Sequence, residues 1–198
     1  MATWRAAVNE SLSGPTKELT VTNHRHDPVG LRVLGNLLDS VAEEMGTALE
    51  RSGVSPNIKE RRDYSCAIFD ANAELVAQAA HMPVHLGAMP ASVNAAAQHC
   101  PLADGDIVLL NDPRLGGSHL PDITSVQAFR VDPTDARPFA YLATRAHHAD
   151  VGGTVPGSMG LTTSLEEEGV IIPPTTWVRG NNRLPVVEDE LLGPMRDR

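Results

Sequence analysis

Two short motifs carry the residue types from which a catalytic site can be built. His119-x-x-Asp122 closes the stretch DIVLLNDPRLGGSHLPD at 106–122, and His147-x-x-Asp150 lies within AYLATRAHHADVGG at 140–153. In each, an apolar run delivers a His-x-x-Asp beside a pair of glycines. Imidazole and carboxylate groups hold Zn²⁺, Mn²⁺ or Fe²⁺ in catalytic sites, usually as three protein ligands with a position open for water. His119 and Asp122 from one loop, with His147 from the next, complete such a set. His147 and His148 face opposite sides if their strand continues, so one of the two reaches the ion. Asp150 and His148 are then candidates for orienting a ligand imidazole or serving as general base. A single loop Asp more often forms a turn; the duplication is what favours a metal site.

The other histidines read differently. His81 and His85 flank Pro83, which argues against a helix there. In an extended segment their even spacing would put both imidazoles on one side, but a pair without a carboxylate reads first as structural. His99 suits the C-terminal end of an Ala-rich helix. Lys59, Arg61, Arg62 and Asp63 form a charge cluster, read as a solvated strand entry, with an anion clamp at the mouth of a site as the alternative. No G-x-x-x-x-G-K-[ST], G-x-G-x-x-G or G-x-S-x-G occurs in the sequence, so the chain offers no motif for nucleotide binding or for a serine nucleophile.

Several elements must position these residues. Asp27-Pro28 opens a helix as N-cap and first helical residue, Leu31, Leu34, Leu38, Val41, Met45 and Leu49 form its core-facing stripe, and Gly53 closes it. Cys66–Phe69 and Glu74–Ala77 flank a four-residue turn and predict a hairpin. An Ala-rich helix is expected from about Pro90 to His99. Ile107–Leu110, Ile123–Val131 and Phe139–Ala146 read as strands, LEEEG at 165–169 as an acidic turn and Val170–Ile172 as a short strand. Residues 1–26 read as a flexible arm. The closing ELLGPMRDR begins apolar with no evident core partner.

Composition bounds the class. Over 198 residues, 41% are hydrophobic and 4% aromatic, so the core is aliphatic. A net charge of −9 argues against a basic nucleic-acid surface. Lys17 and Lys59 are the only lysines among sixteen basic residues, and the arginines suit fixed contacts to carboxylate or phosphate better than a Schiff base. No run reaches the ~20 apolar residues of a membrane span. Cys66 and Cys100 lack disulfide or metal spacing and no secretory signal is read at the N-terminus, so a cytoplasmic location is expected.

NIKERRDYSCAIFD, LVAQAAHMPVHLGAMP, LLNDPRLGGSHLPDIT and RAHHADVGGTVPGSMG, in this order, closely resemble the hydantoinase B/oxoprolinase family from Asp27 to the C-terminus. The resemblance implies ATP-dependent hydrolysis of a cyclic amide (a lactam or hydantoin) with an A-type ATPase partner that phosphorylates the substrate, in an oligomeric complex. It also implies a divalent metal (Mn, Zn or Fe) held by His119, Asp122 and His147; relatives often have Trp at the position of His148. The alternatives are an acetone or acetophenone carboxylase subunit and a non-catalytic assembly module. Family members are much longer, so residues 27–198 are expected to be the N-terminal part of a longer domain. The fold expected is α+β, a long N-terminal helix packed on a mixed β-sheet with functional loops.

Overall fold

The computed structural model describes residues 27–79, 81–158 and 160–195; the arm expected over 1–26 lies outside them. The chain divides into two compact units, Met1–Leu34 and Gly35–Arg198. Helix α1 (Pro28–Ser52) opens as expected, with the Val29 amide donating to Asp27 Oδ1 at 3.0 Å. A short helix α2 (Pro56–Lys59) precedes the hairpin of β1 (Tyr64–Asp70) and β2 (Leu75–Ala79). Helix α3 (Pro83–His99), β3 (Ile107–Leu110), β4 (Asp122–Phe129) and β5 (Ala140–His147) follow. A turn of helix, α4 (Leu165–Glu168), then leads to β6 (Thr175–Arg179) and β7 (Asn182–Arg183).

The α+β class holds, with helix set against a seven-stranded sheet in the order β2-β1-β5-β4-β3-β6-β7. Expected to be mixed, the sheet is antiparallel in every pairing. β1–β2 and β6–β7 are joined by tight turns, and β3–β4 and β4–β5 by segments 111–121 and 130–139, shorter than the crossover of a dozen residues or more that a parallel neighbour needs. Alternation along the strands makes two apolar faces. One face, with Ala67, Phe69, Leu110, Val126 and Ala143, receives Met89 and Val93 of α3. On the other, Cys66, Ile68 and Ala146 meet Ala42 of α1 and Ile58 of α2, and Leu109 and Ile123 cluster with Val151, Ile172 and Met195.

Four further expectations are corrected. Helix α3 begins at Pro83, not near Pro90, because proline is well placed in a first turn whose amides lack partners. Val170–Ile172 forms no strand; its backbone is tied to Asn111 instead. The C-terminal segment does find a core partner, with Met195 buried and Leu191 and Leu192 packed in the same cluster. Of the apolar stripe of α1, Leu38, Met45 and Leu49 pack on the core of the larger unit, whereas Val41 is 44% exposed. No described helix is long and apolar enough to cross a membrane.

Candidate functional site

Strand pairing brings the two motifs together. In the β4–β5 ladder Asp122 lies directly opposite His147, so strand ends 25 residues apart in sequence present side chains to one point. His147 Nδ1 lies 2.7 Å from Asp122 Oδ1, and His119 Nδ1 lies 3.2 Å from Asp122 Oδ2. Asp122 is buried, whereas the His119 side chain is 59% exposed. With a proton on each Nδ1, the carboxylate accepts from both rings and leaves both Nε2 lone pairs available.

Two further residues complete the cluster. His85, 2% exposed, sits in the first turn of α3 with Nε2 3.4 Å from Asp63 Oδ1 and 3.7 Å from Asp122 Oδ1. Its Nδ1 is buried without a hydrogen-bond partner among the described residues. Asp63 is fixed in turn by its carbonyl, which accepts from the His147 amide at 2.9 Å. The Ser65 hydroxyl donates to the Met82 carbonyl at 2.9 Å and fastens the start of α3 to β1. The early start of α3 is therefore what carries His85 into the site.

Electrostatics follow from this geometry. The hydrogen bond to Asp122 raises the His147 pKa above its ordinary value, against the effect of burial. Burial alone would push Asp122 up; the His147 hydrogen bond and the nearby imidazoles of His85, His147 and His119 outweigh it and hold the carboxyl below the usual range. Burial lowers the His85 pKa despite Asp122 and Asp63 beside it.

The remaining predicted residues lie elsewhere. His148 turns to the opposite face, where it lines a cavity of about 520 Å³ with Leu109, Ile123 and Trp177. The Asp150 carboxylate accepts from the Gly152 and Gly157 amides at 2.9 and 3.1 Å and lies 3.4 Å from Ser158 Oγ, within the glycine loop that follows β5. In the charge cluster, Arg62 pairs with Glu50 at 3.3 Å. Sequence reasoning left Asp63 and His85 outside the site; the even spacing of His81 and His85 was the one available signal. Arg145 gave none, yet it is completely buried at the centre of the hydrogen-bond network around the site.

The donor set of imidazole nitrogens and carboxylate oxygens suits a divalent transition metal. As arranged, no group of three or more His, Cys, Asp or Glu among the described residues is placed to hold one. Asp122 explains this, since it spends one oxygen on each imidazole. His119 is the exposed member, and rotation of its side chain would remove the ring from Oδ2, leaving that oxygen only the His119 amide at 3.4 Å.

A family model described as hydantoinase B/oxoprolinase matches residues 27–196. The 5-oxoprolinase of Saccharomyces cerevisiae is 44% identical over 149 residues, 74% of this chain and 11% of that protein. The crystal structure of the ATP-dependent caprolactamase from Pseudomonas jessenii superposes with a TM-score of 0.76 at 29% identity, over 87% of this chain and 30% of that one. A nucleotide-free acetone carboxylase structure gives the same TM-score at 18% identity, covering 87% of this chain and 23% of that one, and shows a shared fold. The chain thus spans only a small part of the length of these relatives.

Proposed function

The chain belongs to the hydantoinase B/oxoprolinase family, and we propose on that premise that it supplies the metal-binding part of an ATP-coupled enzyme that hydrolyses the C–N bond of a cyclic amide. The observation that carries this reading is the convergence of His119, Asp122 and His147, from one loop and two paired strand ends, on one partly buried point. Relatives named for 5-oxoproline and caprolactam hydrolysis favour a lactam over a ketone as substrate. An A-type ATPase subunit is the proposed partner, consuming the ATP for which this sequence has no motif.

His119, Asp122 and His147 would hold the divalent metal, and Asp63 and His85 have donor atoms close enough to join them. Such a metal supplies Lewis acidity toward a carbonyl oxygen and lowers the pKa of water. The chain's own residues set the rest. Asp122 holds His147 by Nδ1, which fixes the ring beside the carboxylate. His85 and Asp63 close the buried side, so a substrate approaches past exposed His119. Asp150 keeps the adjoining glycine loop in shape.

Metal analysis of the purified chain tests the proposal. Stoichiometric Mn or Zn, lost in His119→Ala and Asp122→Asn, supports it. Metal-free protein that still binds an A-type subunit refutes it in favour of an assembly module.

A further inference from the structure

Building on the site reading above, we infer that Arg145 is its positioning residue: one buried guanidinium locks the helix carrying His85, the loop carrying His119 and the strand carrying Asp122 into a single geometry. All five of its N–H groups are used. Nε donates to Thr124 Oγ1 at 2.8 Å on β4. Nη1 donates to the His85 carbonyl at 3.2 Å and to Ser118 Oγ at 3.0 Å. Nη2 donates to Ser92 Oγ at 2.7 Å on α3 and to the Gly116 carbonyl at 2.8 Å.

The choice of acceptors is what marks the role. A fully buried charge is ordinarily neutralised by a carboxylate in contact, yet every acceptor here is a neutral oxygen. They come from three elements, and each lies within three residues of a cluster member or on the helix that bears one: Thr124 two residues from Asp122, Ser118 and Gly116 just before His119, Ser92 on α3, and the carbonyl of His85 itself. Gly116 makes the arrangement possible. It has φ +94°, and a Cβ there would fall 2.4 Å from the Ser92 amide, so loop and helix meet at backbone contact and one side chain reaches both. A lysine has three donors on a flexible stem and cannot reproduce the planar five-point clamp.

The test compares Arg145→Lys, Ser118→Ala and a control next to Arg145 on β5, Thr144→Val, which removes the 2.7 Å contact to Ser125 of β4 without touching the clamp. Two readouts are used: calorimetric titration with Mn²⁺ and with Zn²⁺, and the hydrogen-bonded Nδ1–H proton of His147 seen by ¹⁵N-edited NMR. Arg145→Lys is expected to weaken metal binding at least about tenfold, the range for residues that orient ligands, and Ser118→Ala about threefold. The His147 signal shifts or broadens in both, and the control changes neither readout. Wild-type affinity and an unmoved His147 signal in folded Arg145→Lys would overturn the inference. Should that variant not fold, the same result in Ser118→Ala overturns it. A wild-type chain that binds neither metal refutes the metal reading alone, and the His147 signal then decides the role of Arg145.

Discussion

Asn111→Ala is the substitution whose cost can be worked most directly. Asn111 is completely buried, and its side chain makes three hydrogen bonds across the loop that bears the site. Nδ2 donates to the Leu120 carbonyl at 2.7 Å and to the Val170 carbonyl at 2.9 Å, and Oδ1 accepts from the Ile172 amide at 2.6 Å. Alanine leaves two carbonyls and one amide in the interior without these partners. Each such orphan costs about 1–3 kcal/mol, and a water entering the vacated space brings the sum toward the low end, so the expected loss is about 3–6 kcal/mol. Against a typical stability of about 5–15 kcal/mol that is a large share. Urea unfolding of wild type, Asn111→Ala and Asn94→Ala measures it; Asn94 is exposed and makes one local bond to the Pro90 carbonyl. Because Leu120 lies between His119 and Pro121, Asn111→Ala should also weaken Mn²⁺ binding. A loss below about 1 kcal/mol, matching that of Asn94→Ala, would refute the accounting.

The pH dependence of the central pair has a definite sign. The raised pKa of His147 contributes stability that is complete below 6.5 and fades as pH rises through its folded value; the lowered pKa of Asp122 contributes stability present above 3.8 and lost as pH falls through its folded value. The stability gap between wild type and Asp122→Asn is therefore widest between those limits, and denaturation at pH 3, 5 and 9 checks it. One substitution at two glycines should act in opposite directions. Gly117→Ala drives a Cβ to 2.0 Å from the Asn111 carbonyl oxygen and should cost at least about 3 kcal/mol, whereas Gly87→Ala, in open space on α3, should stabilise by about 0.5–1 kcal/mol in thermal melts. Burial pushes the Cys66 thiol up to about 12, aided by Glu43. Iodoacetamide followed by mass spectrometry should therefore label Cys100 in the native state well before Cys66.

What the sequence disclosed depended on the range of the signal. Helix α1, the β1–β2 hairpin and the strands leading into both His-x-x-Asp motifs rest on local periodicity and turn chemistry, and all of them form. Proximity of His119, Asp122 and His147 was legible because the motif repeats at strand ends that can lie side by side. His85 escaped because Pro83 was weighed as a helix breaker, although proline in a first turn is a starter. Asp63 looked like one charge in a solvated run, and nothing short-range shows that its carbonyl meets the His147 amide. Arg145 sits in an alternating strand where any long polar residue looks surface-facing. Its burial depends on oxygen atoms from three distant segments, which periodicity does not register.

The pairing of Asp122 with His147 across β4 and β5 leaves the chain's doubled histidine with a built-in ambiguity. Shifting β5 by a single residue along its neighbour would send the imidazole of His148 toward Asp122 and turn His147 to the far side. Such a slip preserves an imidazole at the strand end but also rotates Arg145 out of the interior, abandoning all five of its oxygens. The guanidinium therefore acts as a registration mark, allowing only one of two adjacent, chemically identical rings to serve.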